Sequence, residues 1–133
     1  MNVNFTVFID KILSGEKRQT IRKAGKKWEN VKVGDKLTLY TGLRTKGCRK
    51  LGEAEVESIE DIEIEMFDLV DGTRMYCIEL NRHGLPDAKI IPLAKADGFK
   101  DLGSFLDFFQ DHYGENFNGK IIKWKNFRKA ENE

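Results

Sequence analysis

The sequence predicts a mainly β fold of the α+β class: a small β-barrel or strongly curved sheet of about five to six strands, with two or three peripheral helices. Three observations support it. Stretches with apolar residues at every second position, typical of half-buried strands, recur along the chain. Helical spacing of apolar residues is confined to a few segments. Helices and strands do not alternate regularly, which disfavours a parallel α/β sheet.

The first part of the chain is predicted to hold one short helix and two strands. Phe8, Ile9, Ile12 and Leu13 have helical spacing and Gly15 follows them, so we expect a helix over residues 7–14. After it come a short strand over residues 19–22, a loop over residues 23–35 and a strand over residues 36–41. Residues 41–52 contain three Gly and four basic residues, which predicts a long basic loop or a loose hairpin.

The middle of the chain alternates acidic and apolar residues. This pattern covers residues 53–66 and predicts one or two antiparallel strands with the acids facing water. Further strands are predicted over residues 75–80 and 88–91, with a turn between them over residues 81–84.

The last third is predicted to hold a helix and a final strand. Asp101 suits the N-cap of a helix over residues 102–113, and Gly114 suits its end. An Asn-Gly turn signal then leads into a strand that finishes at Trp124, and residues 128–133 are expected to fray. We expect residues 1–133 to form a single domain.

Composition narrows the class of protein. Two Cys without CxxC spacing are too few for a disulfide framework, and no apolar stretch approaches the roughly 20 residues that cross a bilayer. The N-terminus lacks a charged segment followed by an apolar run, so we expect no signal peptide. These features predict a cytoplasmic protein without a membrane partner, and we expect a monomer.

Charge is unevenly distributed along the chain. Residues 1–50 hold 13 Lys and Arg against four Asp and Glu, an excess of nine positive charges, whereas residues 51–71 hold nine acids and no base. Such a chain can present a positive face to a polyanion although its net charge is only +1. Alternatively, the two blocks lie on neighbouring strands and neutralise each other.

Metal and nucleotide cofactors are not indicated. The four soft ligands, two Cys and two His, lack zinc-ligand spacing, and no Gly-rich phosphate loop is present. We therefore predict no metal and no cofactor.

Polar residues cluster in the segment SGEKRQTIR, residues 14–22. On a strand, Thr20 and Arg22 share one face and Ile21 takes the other. Lys17 can meet Thr20 only if residues 15–18 form a turn, which Gly15 makes feasible. A Lys with a lowered pKa beside a Thr hydroxyl could accept its proton; the alternative is a basic hairpin in which Thr20 is a strand former.

A wider resemblance follows from four segments: ILSGEKRQTIR, VGDKLTLYTGLRTKGCRKLGEAEV, ADGFKDLGSFLDFF and FNGKIIKW. Together they cover nearly the whole chain, and it resembles the ASCH family, whose domains share the PUA-like β-barrel. The resemblance implies a cleft for RNA or for a modified nucleoside. One branch of the family hydrolyses the acetyl amide of N4-acetylcytidine with a Lys, a Thr and an acid, and other members are thought to bind or cut RNA.

By motif position, the resemblance assigns the catalytic roles to Lys17, Thr20 and Asp97. Thr20 would be the nucleophile and Lys17 its proton acceptor. Asp97, which stands where that branch has a Glu and is one methylene shorter, would orient Lys17 or protonate the leaving amine. Arg22 or a backbone N–H would stabilise the oxyanion.

If the domain binds nucleic acid, basic side chains are expected to face the ligand and its phosphates, and one aromatic ring to stack on a base. The cations are Arg18, Arg22, Lys27, Arg44, Lys46, Arg49 and Lys50. The ring would be that of Trp28 or Tyr40, although Trp28 could equally be a core residue.

Three function hypotheses therefore stand. The first is a module that binds RNA, a nucleotide or a nucleoside, and the second is a hydrolase, either an amidohydrolase acting on acetylated cytidine or a ribonuclease. The third, which we favour least, is a protein-interaction domain that uses the acidic strand face between Glu53 and Glu65.

Overall fold

The computed structural model describes residues 1–131 and shows a mixed α+β fold with a seven-stranded sheet and four helices. The strands are β1 (Asn2–Phe5), β2 (Gln19–Lys23), β3 (Lys36–Thr41), β4 (Arg49–Asp68), β5 (Arg74–Leu80), β6 (His83–Gly84) and β7 (Asn116–Lys129). The helices are α1 (Ile9–Leu13), α2 (Lys26–Glu29), α3 (Asp87–Ala96) and α4 (Leu102–Tyr113).

The 20-residue strand β4 organises the sheet. Its first part pairs with β3 and its last part with β5 on one edge, while β7 runs antiparallel along the other edge. β1 extends the sheet beyond β3 in parallel, and β2 extends it beyond β7. The path β1-β3-β4-β7-β2 thus ends in two strands that no ladder of the described residues joins, so the sheet is not a closed barrel.

An extra residue in β4 changes which face its apolar residues occupy. Val56 is opposite Trp124 and Ser58 is opposite Lys123, which leaves Glu57 unpaired as a β-bulge. Because strand side chains alternate with period two, one extra residue exchanges the two faces.

The bulge divides the apolar residues between two cores. Ala54 and Val56 pack with Ile122 in one, whereas Ile62, Ile64 and Met66 pack with helices α3 and α4 in the other. We call these the β1 core and the α4 core.

The strand predicted over residues 88–91 is wrong, because these residues lie in α3. Ile90, Leu93 and Ala94 are buried at helical spacing, while Ile91 is 48 % exposed. A four-residue segment with three apolar residues is too short to distinguish the two periods, and the helical spacing is evident only when the following turn is included.

The ends of several elements also differ from the prediction. The loop over residues 23–35 contains the short helix α2, and β1 was not predicted. The Asn-Gly pair lies inside β7 and not in a turn. β7 continues to Lys129, opposite Gly52, so the expected fraying at residues 128–129 is wrong; residues 132–133 of that predicted tail lie outside the described residues.

The predicted helix over residues 102–113 and the predicted strand over residues 36–41 are confirmed. α4 spans residues 102–113, the side chain of Asp101 accepts a hydrogen bond from the Ser104 N–H at 2.8 Å, and Gly114 ends the helix with φ +80°. β3 has its predicted bounds. Within residues 1–131, no helix is both long enough and apolar enough to cross a membrane.

Candidate functional site

The buried polar side chains of the described chain converge on one place. Among residues 1–131, only Lys17, Gln19, Thr20 and Asp97 are polar or charged and buried, with 3–6 % of their surface exposed. Burying such groups costs free energy unless they are paired, so buried titratable clusters occur preferentially where a protein carries out binding or chemistry. Three of these four residues are the predicted catalytic residues.

Lys17 reaches the site through a tight turn after α1. Gly15 adopts φ +83°, a left-handed conformation that favours glycine, and the Lys17 N–H donates to the carbonyl of Lys11 at 2.9 Å. The turn directs the Lys17 side chain toward the end of α3. There its Nζ donates to the backbone carbonyl of Asp97 and lies 3.4 Å from Asp97 Oδ1.

Thr20 and Arg22 project from the same face of β2. Arg22 Nε donates to Thr20 Oγ1 at 2.9 Å, and Arg22 Nη2 donates to the Asn4 carbonyl of β1 at 2.7 Å. Ile21 points the other way, into the α4 core. Arg22 therefore bridges β2 and β1, the two strands between which the sheet remains open. Its guanidinium lies 4.9 Å from the centre of the Phe5 ring.

Asp97 is placed by the C-terminus of α3. It is the C-cap residue, and its N–H donates to the Leu93 carbonyl at 3.1 Å. Gly98 follows with φ +110° and leaves room for the Phe8 ring, which an added Cβ would meet at 2.7 Å. The Asp97 carboxylate also accepts from Gln19 Nε2 at 3.4 Å.

These groups line a cavity of about 280 Å³ at the free edge of β2. Its polar lining residues include Lys17, Thr20, Arg22 and Asp97, and much of the remaining lining is aromatic. The aromatic residues are Phe5, Phe8, Phe99, Phe108, Phe109, His112 and Tyr113. The cavity combines donors, acceptors and flat apolar surface, and its volume is close to the lower end of the ~300–1,000 Å³ typical of small-ligand pockets.

Burial shifts the pKa values of the three charged groups at this site. Desolvation lowers the pKa of Lys17 and outweighs the attraction of Asp97, and it likewise lowers the pKa of Arg22. Desolvation raises the pKa of Asp97, although Lys17 and Gln19 oppose the shift. The site therefore favours the neutral amine of Lys17 more than water does, which is what a proton acceptor requires.

Only some of the residues predicted to contact nucleic acid lie at the cavity. Arg22 lines the cavity, whereas Arg18 is exposed beside a different depression. Trp28 is only 5 % exposed and packs in the β1 core, which favours its alternative interpretation as a core residue. Tyr40 is half-buried in β3 and does not line the cavity.

The basic loop lies next to the cavity entrance, and its predicted end at residue 52 is wrong, because β4 begins at Arg49 and already contains Arg49 and Lys50. The Leu43 N–H of the loop donates to Asn4 Oδ1 at 2.8 Å. The backbone carbonyl of the same Asn4 accepts a hydrogen bond from Arg22. Lys27 is exposed, and the charges of Arg22 and Arg44 help to lower its pKa after desolvation, which indicates that these cations are neighbours. Arg44, Lys46 and Arg49 are exposed and form no ion pair within residues 1–131, whereas Lys50 pairs with Glu53 at 3.2 Å.

The acidic strand face is partly neutralised by other strands. Glu53 pairs with Lys36 at 3.0 Å, and Glu60 lies 3.6 Å from Lys123 of β7. Glu55 and Asp61 are opposite Lys125 and Lys120 in the β4–β7 register. Lys36 and Lys50 of the basic first part of the chain pair with Glu53, and β7 contributes Lys123, whereas Arg44 and Lys46 form no ion pair within residues 1–131.

The sequence analysis did not predict the aromatic residues that line the cavity, nor Asn4. Phe108, His112 and Tyr113 belong to the predicted helix, but its apolar periodicity could not separate ring positions in the core from those beside the cavity. Asn4 lies in a strand that was not predicted. A search for aromatic residues at i and i+4 on α4 would have indicated the pair Phe108 and His112.

Comparison of the chain with models of protein families, with characterised proteins and with solved structures found no match.

Proposed function

We propose that the chain is an ASCH-type domain that binds a nucleobase or modified nucleoside, free or within RNA, in the cavity at the edge of β2. The observation that carries the proposal is that three of the four buried polar side chains within residues 1–131, Lys17, Thr20 and Asp97, line that cavity, while the fourth, Gln19, donates to Asp97. The sequence motif that carries the family resemblance contributes three of the four, Lys17, Gln19 and Thr20.

The sheet topology is compatible with an open form of the PUA-like barrel. The five-strand path begins at β1 and ends at β2, and a closed barrel would require these two strands to be neighbours. Arg22 connects them through its 2.7 Å hydrogen bond to Asn4. The proposed ligand would therefore bind where the sheet remains open between β1 and β2.

The chemistry of the cavity suits a planar polar ring. Lys17 and Arg22 can donate hydrogen bonds to carbonyl groups of the ligand's ring, and the aromatic lining residues offer apolar surface to the faces of that ring. The exposed cations Lys27, Arg44 and Lys46 near the entrance suit the phosphates of an attached chain.

A calorimetric titration with cytidine, uridine, adenosine and guanosine tests the proposal. We expect at least one nucleoside to bind, and Arg22→Met to weaken it, because this change removes the donors and keeps an unbranched side chain. Arg18→Met, outside the cavity, is the matched control and should leave binding unchanged. Failure of every nucleoside to bind, together with N4-acetylcytidine and a single-stranded RNA, would contradict the proposal.

A second candidate function, hydrolysis of an acetylated cytidine, is favoured by two observations: Lys17 and Thr20 line the same cavity, and Arg22 donates to the Thr20 hydroxyl. The Thr20 hydroxyl oxygen accepts from Arg22, so its own proton remains available for donation. Its oxygen would attack the acetyl carbonyl carbon while neutral Lys17 takes the proton. Collapse of the tetrahedral intermediate would break the C–N bond, and the departing cytidine amine would receive a proton from Lys17 or Asp97.

A water molecule would then hydrolyse the acetyl ester on Thr20 and release acetate. In this scheme Arg22 lies beside the developing oxyanion and stabilises it.

Incubation with N4-acetylcytidine, with cytidine release followed by chromatography, separates hydrolysis from binding alone. If Thr20 is the nucleophile, Thr20→Val should abolish release and Thr20→Ser should retain part of it. Release by Thr20→Val at the wild-type rate would exclude Thr20, and binding of acetylcytidine without release would leave the binding function alone.

A further inference from the structure

Helix α4 presents two sets of aromatic rings on different sides. Phe105 and Phe109 are buried in the α4 core. Phe108 is half-buried and His112 is exposed, and both line the cavity. The second pair is separated by four residues, so the two rings lie one above the other along the helix.

His112 is held in one orientation by Phe108. The two ring centres are 4.0 Å apart and the ring planes differ by 26°, which is a stacked arrangement. The His112 Nδ1 also lies 2.8 Å from the Phe108 carbonyl oxygen. Because a carbonyl only accepts, Nδ1 carries the hydrogen of this bond, and the imidazole cannot rotate without losing it.

The His112 side chain is otherwise exposed. Within residues 1–131, the only further ring near it is that of Tyr113, at 6.2 Å and tilted by 44°. The Phe108–His112 stack therefore ends in an exposed imidazole that lines the cavity. The Phe108 ring packs against the imidazole. The centres of the Phe99 and Phe109 rings lie 5.4 and 5.5 Å from the centre of the Phe108 ring.

We propose that His112 is the platform on which the planar ring of the ligand stacks, with the polar edge of that ring directed at Lys17 and Arg22. This inference rests on the proposed function and assigns to α4 the stacking role that the sequence analysis gave to Trp28 or Tyr40. Trp28 is buried and Tyr40 lies outside the cavity, whereas the His112 imidazole lines the cavity, is exposed and is held by its contacts with Phe108.

Proton NMR titration tests the platform with cytidine as the probe and ribose 5-phosphate, which lacks a base, as the control ligand. Stacking on an aromatic face should shift the base proton signals of cytidine upfield more than those of its sugar. We expect His112→Ala to weaken cytidine binding about tenfold and to remove that upfield shift. His112→Phe should keep both, because it preserves the flat ring.

Two further controls guard against indirect effects. His83→Ala, which changes the other, exposed histidine in β6, should leave cytidine binding unchanged. Thermal unfolding of each variant should show the wild-type transition, and any affinity for ribose 5-phosphate should be the same in all of them.

The outcomes separate the platform from the proposed function. Wild-type protein that binds no nucleoside would overturn the proposed function and the platform together. Cytidine binding that is equal in the wild type and His112→Ala would overturn the platform alone. Equal weakening in His112→Phe and His112→Ala would also overturn it, because the imidazole nitrogens would then matter and the flat surface would not.

Discussion

At the scale of single residues, the Lys17–Asp97 pair dominates the energetics of the site. Both side chains are buried, and each supplies the opposite charge that makes burial of the other tolerable. Such a pair is costly to assemble compared with an apolar core, and its retention at a cavity is more readily explained by binding or chemistry than by stability.

Removing one member of this pair should destabilise the protein strongly. We expect Lys17→Met to lower the free energy of unfolding by about 3 kcal/mol, because Asp97 is left buried without its cation. The double variant Lys17→Met/Asp97→Asn should regain part of this stability. Urea denaturation measures both.

The matched control is Lys36→Met, which breaks the exposed pair with Glu53 and should cost less than about 1 kcal/mol. Equal destabilisation by Lys17→Met and Lys36→Met would contradict the structural description of a buried pair.

The lowered pKa of Lys17 predicts a specific dependence of stability on pH. Between that lowered pKa and its ordinary value of 10.5, the unfolded chain holds the Lys17 proton more strongly than the folded protein does. Raising the pH through this window therefore stabilises the folded state, by at most about 1.4 kcal/mol per pH unit. The Lys17→Met variant has no amine at this position and therefore lacks this increase in stability with pH.

Urea denaturation of both proteins between pH 7 and pH 10.5 checks the effect. The difference in unfolding free energy, wild type minus Lys17→Met, should increase with pH. A difference that stays constant would show that the pKa of Lys17 is not lowered in the folded protein.

At the scale of elements, the pairing of β2 with β7 positions Thr20 and Arg22. Gly119 of β7 is opposite Lys23, and a Cβ there would overlap the Arg22 carbonyl and lie 2.6 Å from the Phe117 ring. The glycine is required by this close approach of two strands.

Gly119→Ala should therefore displace β2. We expect a decrease of about 1–3 kcal/mol in unfolding free energy, as is typical of overpacking, together with weaker nucleoside binding. Gly84→Ala is the control, since a Cβ there meets no atom within 4 Å, and it should change stability by less than about 0.5 kcal/mol. Wild-type stability of Gly119→Ala would contradict the close approach.

Gly119 also illustrates how far local patterns predict the fold. The Asn118-Gly119 pair has the composition of a hairpin turn, but its glycine allows a close approach to Arg22, a residue almost one hundred positions earlier. The strand β3 and the helix α4 were predictable because their periodicity and caps are local. The residues around Ile90 were not, because a short apolar run has no decisive period.

The site residues also fall into those that the sequence could predict and those that it could not. Lys17, Thr20 and Asp97 were predictable from the motif resemblance, and the bend at Gly15 from the residue types. His112 and Asn4 were not, because their place at the cavity depends on how α4 and β1 pack against β2.

At the scale of the whole molecule, several cations of the basic loop remain unpaired in the part of the chain that the structure describes, while the acids of β4 face lysines of β7. The lysines of β7 lie against the acids of β4, and Arg44 and Lys46 of the basic loop form no ion pair in residues 1–131. A single-stranded RNA whose base enters the cavity would place its phosphates near these cations.

The salt dependence of RNA binding tests this arrangement. Arg44→Ala/Lys46→Ala should reduce the slope of log K against log salt concentration by about 0.7 for each phosphate that the variant no longer neutralises. Lys123→Ala, next to Glu60, should leave the slope unchanged. A flat wild-type plot would exclude phosphate binding by these cations.

The most direct test of the central claim, that the buried polar cluster forms a ligand site, is to map nucleoside binding on the backbone amide signals of the isotopically labelled protein by NMR. We predict that the largest shifts occur at residues 17–22, at residues 97–99 and along the C-terminal half of α4. Shifts confined to the larger concavity beside Lys36 and Arg128, or no shifts with any nucleoside, would contradict the claim.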